Sequence, residues 1–251
     1  MRISASLGEF HDASEEERAL VDRGLERTLT NCMRDAGFDY SAPQLPAPPT
    51  VDRYGRLDSS IVAVYGYGLP PEYSPEPVQL YTGEESKEFL TAIHGDGAGG
   101  CMLFAADQVF GSFAEFSEAQ DAISQFGGAA VAKALEDPRY LKKVDDWSAC
   151  MRTAGYDYST FGEIIQHYAA PGAEPGQRAS VEHVKAAQAD LACRELTGVN
   201  DFFEQVVGAY QSDMLGQQER TVITQYDALW SVSVDRAESR AAEPVAAVAA
   251  D

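Results

Sequence analysis

Four cysteines carry the most obvious chemistry in this chain, because thiols can form cross-links, bind zinc or attack a substrate. They are Cys32, Cys101, Cys150 and Cys193. Cys32 opens the phrase CMRDAGFDYS and Cys150 opens CMRTAGYDYS, and these two phrases share eight of ten residues. Each phrase is followed by one further cysteine. Of the three pairings that four cysteines allow, this order favours the disulfides Cys32–Cys101 and Cys150–Cys193.

Other uses of the thiols fit the sequence less well. Four reduced cysteines packed as small apolar side chains are the main alternative. A zinc site is disfavoured because the chain has no C-x-x-C motif and no histidine near any of the four. A catalytic thiol needs a nearby base and an electropositive setting, which this acidic chain offers poorly. We therefore predict structural cross-links, each contributing up to ~4 kcal/mol.

The remaining candidate motifs are weak. GDGAGG at residues 95–100 matches a phosphate-binding glycine pattern, but the preceding residues predict a helix, not the strand that such a site needs, and Asp96 would repel phosphate. The adjacent carboxylates of Asp145 and Asp146, or of residues 15–17, could serve acid–base or calcium chemistry, but they fall in first helical turns or on polar faces. The histidines lack metal-ligand spacing: His11, His94, His167 and His183. We predict no metal, no cofactor and no catalytic residues.

Tyrosines provide the one candidate binding surface. Tyr65 and Tyr67 lie in the stretch YGYG, and Tyr40 and Tyr158 end the Asp-Tyr pairs of the two phrases. A phenol combines apolar area with a hydrogen bond, so these four side chains could line a ligand groove. The alternative, which we prefer, is that they pin an irregular segment and the turns that follow the helices.

Helix signals dominate the elements that must position these residues. Ser14 and Glu17 form a capping box, and apolar residues then recur at helical spacing. Gly37 and Gly155 directly follow Ala36 and Ala154, the last residues of the two helical patterns, as left-handed helix caps do. Each repeated phrase is therefore predicted to be the C-terminal end of a helix.

The sequence predicts a mainly α fold of two pseudo-repeated, disulfide-stapled halves, residues 1–136 and 137–251. Packing of the halves as one domain is left open. Residues 43–81 hold eight of the 12 prolines and several tyrosines, and we interpret them as an irregular insertion in the first half. The segment from Asp201 to Arg240 predicts a long C-terminal helix, in which Gly208 and Gly216 make a break plausible.

Charge and hydropathy limit the partners. The 40 acidic and 19 basic residues give a net charge of -21, which repels nucleic acid and anionic lipids. No apolar run approaches the roughly 18–20 residues of a transmembrane helix. The first twenty residues lack the apolar region of a signal peptide, which taken literally predicts a cytoplasmic protein, whereas disulfides predict an oxidising compartment.

The ordered set CMRDAGFDY, YGYG, FLTAIHG, GGC, DPR, WSACMRTAGYDY and ADLAC resembles a family of uncharacterised actinobacterial proteins that are usually secreted or lipid-anchored. The resemblance spans nearly the whole chain and implies export, intact disulfides and no assigned activity. The leading hypothesis is a non-catalytic cell-envelope protein that binds a partner protein or cell-wall component. The alternatives are an extracytoplasmic hydrolase using dispersed Asp and Glu residues, and a cytoplasmic protein with free thiols.

Overall fold

A computed structural model describes residues 13–40, 58–68, 70, 84–96, 99–168 and 176–248, and within these ranges the secondary structure is entirely helical. This confirms the mainly α fold class. The ten described helices are α1 (Glu15–Asp35), α2 (Ser59–Tyr65), α3 (Glu84–His94), α4 (Cys101–Phe110), α5 (Phe113–Leu135), α6 (Pro138–Thr153), α7 (Phe161–Tyr168), α8 (Val181–Thr197), α9 (Val199–Met214) and α10 (Gln217–Ala241). No described helix combines the length and the apolar character that crossing a membrane requires.

The helices begin where the sequence predicts caps. The backbone N–H of Glu17 donates to the Ser14 hydroxyl over 3.1 Å, and the Ser14 N–H donates to the Glu17 carboxylate over 2.7 Å. Asp137 caps α6 and is followed by proline at the first helical position. The hydroxyl of Ser180 caps α8. These side chains satisfy amide groups that have no partner within the helix.

The two repeated phrases have the same local structure. Gly37 has a φ of +90° and Gly155 a φ of +94°, so both lie in the left-handed region that favours glycine. The N–H of Phe38 and the N–H of Tyr156 each donate to the carbonyl of a methionine five positions earlier, over 3.0 and 2.9 Å. Both phrases are therefore helix C-termini with a returning aromatic residue, as predicted.

Both predicted disulfides are present. Cys32–Cys101 joins α1 to α4 with a Cα–Cα distance of 5.6 Å. Cys150–Cys193 joins α6 to α8 with a Cα–Cα distance of 5.7 Å. No cysteine remains free. Each cross-link connects the helix that carries one repeated phrase to a later helix.

The chain divides into two compact units. Unit 1 comprises Met1–Pro43, Pro77–Gly127 and Leu215–Asp251. In it α1 packs against α10 and α4, and Val21, Trp230 and Ala237 belong to the shared core. A Cβ atom on Gly24 would lie 2.8 Å from the Cα of Ala237, so the close approach of α1 and α10 requires glycine at this position. A second cluster surrounds the disulfide of this unit with Met33, Tyr40 and Phe89.

Unit 2 comprises Gln44–Glu76 and Gly128–Met214. In it α6 packs against α8 and α9, and α2 packs against α8. One core cluster lies around Tyr140, Phe203 and Val207, and another around Trp147 and Met151 beside the disulfide. Tyr67, from the turn after α2, packs against the second of these clusters.

The units divide the chain differently from the predicted halves 1–136 and 137–251. The predicted long C-terminal segment is two helices that separate at residues 215–216, and α10, of 25 residues, belongs to unit 1. The physical reason is the apolar face of α10, which is buried against α1 and α4. Most of the predicted insertion 43–81 lies outside the described residues. Its described part, 58–68, forms α2 and a turn in unit 2.

Candidate functional site

The four tyrosines singled out from the sequence do not share one cluster. Tyr40 is only 8% exposed and packs against Phe89 in unit 1, with ring centroids 6.1 Å apart. Tyr67 and Tyr158 lie in one cluster of unit 2 and are half-buried. Tyr65 ends α2 in the same unit. The contacts of Tyr40 and Tyr67 are those of side chains that hold turns and helices in place.

A buried carboxylate organises the interior of unit 2. Asp190 is completely buried on α8 and accepts hydrogen bonds from the indole of Trp147 and the phenol of Tyr67, each over 2.9 Å. The Arg194 guanidinium donates to both Asp190 oxygens, over 2.6 and 3.0 Å. Because both oxygens already accept two hydrogen bonds, this carboxylate serves structure and has no free lone pair directed at a substrate.

Two further contacts complete this network. The Arg194 guanidinium lies 4.1 Å from the ring centroid of Phe161, a cation–π contact inside the core. Burial, together with the negative charge of Asp190, raises the pKa of the Tyr67 phenol far above its usual range. Tyr67 therefore remains a hydrogen-bond donor at any physiological pH, and it ties the turn after α2 to α8.

His183 docks the same turn. Its Nε2 accepts the backbone N–H of Tyr67 over 3.0 Å, so this nitrogen is unprotonated. The imidazole stacks against the rings of both Tyr67 and Tyr168, at centroid distances of 5.6 and 5.1 Å, and these two rings lie 6.3 Å from each other. Burial lowers the pKa of His183. Gly66 has a φ of +60°, and a Cβ there would lie 2.5 Å from the imidazole, so the fit requires glycine.

An open groove lies between α2 and α8. Its volume is about 370 Å³. Val181, Val184, Lys185 and Gln188 lie on one face of α8, at positions i, i+3, i+4 and i+7. The described lining residues are Ala63, Val64, Arg178, Ala179, Val181, Val184, Lys185 and Gln188. The floor is thus made of small aliphatic side chains, and Val181 is 72% exposed.

Two cations lie along this groove. Arg178 and Lys185 are both exposed, and neither forms an ion pair in the part of the chain that the structure describes. The described lining contains no carboxylate. No lining residue of this groove is among the candidates that the sequence suggested. The i, i+3, i+4, i+7 spacing from Val181 is the signal that could have found it.

Unit 1 has a second depression of about 560 Å³, lined by Ala36 and Phe38 of the first phrase and by residues of α3. Lys87 and Glu88 both line it, so its charges oppose each other. Separately, α4 exposes Met102, Leu103 and Phe104 in succession. These side chains offer apolar area for contact with another molecule.

The other motifs form no catalytic or metal-binding arrangement in the described residues. No group of three or more His, Cys, Asp and Glu within those ranges is placed to hold a metal ion. Asp137 is buried, and its bonds to Arg139 hold the pKa of its carboxyl far below the usual range. Asp146 is exposed and pairs with Lys142 over 3.2 Å. The described residues of GDGAGG, which exclude 97 and 98, lie between α3 and α4, so a helix precedes the motif and not the strand that a phosphate site needs.

The described lining of the α2–α8 groove combines aliphatic side chains with two exposed cations, and this combination suits the groove to binding. Comparison of the chain with models of known protein families, with curated proteins and with solved structures finds no match.

Proposed function

We propose that this protein is an extracytoplasmic cell-envelope protein that binds a partner protein or a cell-wall component without catalysing a reaction. The α2–α8 groove is the observation that carries the proposal. It is open, it has an aliphatic floor, and the helices that form it are held by a hydrogen-bonded interior. A preorganised surface of this kind loses little conformational entropy when a partner binds.

The disulfides support the extracytoplasmic part of the proposal. Protein disulfides persist in oxidising compartments and are rare in the cytoplasm. Each unit contains one cross-link, and no thiol is left free. The resemblance to secreted or lipid-anchored actinobacterial proteins points to the same compartment and forms part of the proposal.

A hydrolase is the second candidate function. The arrangement of the described carboxylates supports it less well than the groove supports a binding function. Acid–base catalysis needs carboxyl groups within hydrogen-bond reach of a substrate. Asp190 is enclosed by Trp147, Tyr67 and Arg194, and Asp137 is engaged by Arg139. The described lining of the α2–α8 groove supplies no carboxylate.

Cell fractionation combined with thiol labelling tests the compartment. We expect the native full-length protein in the envelope or culture fraction, and we expect a thiol-specific maleimide to label it only after reduction. Four reactive thiols in a cytoplasmic fraction would contradict the proposal. The purified protein should release no soluble fragments from peptidoglycan, whereas measurable release would favour the hydrolase.

Site-specific photo-cross-linking in cells tests the binding function. A photoreactive amino acid is placed at Ala63, an exposed lining residue of the groove, and in a separate variant at Lys133, which is exposed elsewhere in unit 2. We expect a discrete cross-linked product only from position 63. Equal products from both positions would mean that the groove has no special role.

A further inference from the structure

We propose that the α2–α8 groove binds an acidic peptide segment of a partner protein. Small apolar side chains of that segment would lie on the aliphatic floor, and its carboxylates would pair with Arg178 and Lys185 at the rim. The inference rests on the proposed binding function for its site, and it adds the chemical class of the ligand. Each part of it follows from the lining of the groove.

The charges along the groove favour an acidic ligand. The chain has 19 basic residues against 40 acidic ones, so a groove whose described charged lining residues are both cations differs from the overall charge of the chain. Some other described cations form ion pairs: Arg34, Arg139, Lys142, Arg194 and Arg240. Arg178 and Lys185 have no such pair among the described residues and line one groove. Two neighbouring cations of this kind complement a ligand with two carboxylates.

The net charge of -21 opposes the approach of any anion. At physiological ionic strength, however, charges separated by more than about 8 Å are largely screened. A bound carboxylate therefore interacts mainly with the nearest groups, and the charged ones among the described lining residues are Arg178 and Lys185. The repulsion slows association more than it weakens the bound state, so we expect weak but charge-specific binding.

The size and the apolar lining of the groove favour a short peptide segment with small side chains. A volume of about 370 Å³ lies near the small end of ligand sites, which span roughly 300–1,000 Å³. The described floor residues, Ala63, Val64, Val181 and Val184, present methyl groups and no aromatic ring. Methyl groups suit small aliphatic side chains, and such a floor has no flat face on which a sugar ring would stack. Gln188 can both donate to and accept from a peptide backbone.

Fluorescence anisotropy with a defined probe tests this inference. The probe is a labelled tetrapeptide of three alanines and one internal glutamate with a free C-terminal carboxylate. Its control replaces glutamate by glutamine and carries a C-terminal carboxamide. We expect the oxidised full-length protein to bind the acidic peptide about tenfold more tightly than the neutral one, with the difference shrinking at high salt.

Variants of the protein then locate the site. The double variant Arg178→Glu with Lys185→Glu should weaken binding by about tenfold or more. The matched double variant Lys133→Glu with Arg220→Glu changes the net charge equally at exposed positions away from the groove lining, and it should stay within about twofold of the parent. Ala63→Trp fills the groove without changing charge. It should also weaken binding, and because Ala63 is exposed, folding should be preserved.

Several outcomes would overturn the inference: equal binding of the acidic and neutral peptides, equal effects of the two double variants, or binding of purified cell-wall glycopeptides in place of the peptide. Thermal unfolding of every variant confirms that the fold is intact. If the photo-cross-link from position 63 persists while the peptide fails to bind, the ligand class is wrong and the binding function stands. If the cross-link is also absent, the proposed function fails as well.

Discussion

Removal of the Cys150–Cys193 cross-link should destabilise unit 2 more than any single surface change. The perturbation is the double variant Cys150→Ala with Cys193→Ala. The two cysteines are separated by 43 positions, and their cluster includes Trp147, which is completely buried. Both sulfur atoms are replaced by hydrogen, so the change removes the covalent restraint and little packing volume.

The magnitude follows from the entropy of loop closure. A sequence separation of 43 corresponds to a loss of about 13 cal/mol/K from the unfolded chain, or about 4 kcal/mol at 25 °C. The 69-residue separation of Cys32–Cys101 gives about 4.4 kcal/mol by the same relation. A domain commonly has about 5–15 kcal/mol of stability in total, so either loss is a large share.

Tryptophan fluorescence during urea unfolding provides the assay, since the chain has two tryptophans and Trp147 is in unit 2. A Trp230→Phe background leaves Trp147 as the reporter. This replacement breaks no hydrogen bond in the described part of the chain, and its packing cost falls on the core of unit 1. With a urea m-value of about 2 kcal/mol/M, the loss of about 4 kcal/mol moves the midpoint down by about 2 M.

The Cys32→Ala with Cys101→Ala variant in the same background is the matched control. We expect it to move the Trp147 transition less, because this cross-link lies in unit 1. An unchanged midpoint in the Cys150→Ala with Cys193→Ala variant would refute the loop-entropy reasoning. Equal shifts in both variants would instead show that the two units unfold as one cooperative block.

Three further predictions concern single side chains. Gly24→Ala should destabilise the protein by about 1–3 kcal/mol in thermal unfolding, because its Cβ would lie 2.8 Å from α10, whereas Gly127→Ala, with open space around it, should stabilise by about 0.5–1 kcal/mol. Asp190→Asn should lower the free energy of unfolding in urea by about 3–5 kcal/mol, because it leaves a buried guanidinium uncompensated. Asp146→Asn breaks an exposed ion pair of the same i,i+4 spacing and should lower the free energy of unfolding by at most about 1 kcal/mol. His183 has a lowered pKa, so its stabilising contribution is complete above pH 6.5 and declines as pH falls through the pKa of the folded state; His183→Gln should remove this part of the pH dependence.

Each prediction has a result that contradicts it. Equal effects of Gly24→Ala and Gly127→Ala would mean that α1 and α10 are not in close contact. Equal costs of Asp190→Asn and Asp146→Asn would mean that the buried pair is not desolvated. If the free energy of unfolding changes between pH 7.5 and pH 5 by the same amount in His183→Gln as in the parent, groups other than His183 cause the pH dependence.

Much of the local structure could be predicted because its causes are local. Ser14, Asp137 and Ser180 cap helices through bonds that span two or three residues, and Gly37 and Gly155 end helices through the left-handed backbone that glycine accepts. The disulfide pairing was also predictable, although its partners are distant in sequence, because the repeated phrase marks equivalent positions.

The candidate site could not be predicted in the same way. The sequence suggested four tyrosines, but Tyr40 belongs to a different unit from the other three. Asp190 has no distinguishing sequence context. Its role depends on Trp147 and Tyr67, which are 43 and 123 positions away and meet it only in the folded chain. The position of α10 likewise depends on its fit against Gly24.

By itself, the sequence determined the helical class, the helix ends, the two cross-links and the acidic surface, because these depend on short-range hydrogen bonding, side-chain type and a visible repeat. Only the tertiary structure decided which unit α10 joins and that α2 and α8 together form a groove whose described lining includes Arg178 and Lys185. The physical reason is that several helix faces have similar apolar content, so the shapes of their surfaces determine which helices pack together. Shape complementarity between distant segments leaves no local pattern in the sequence.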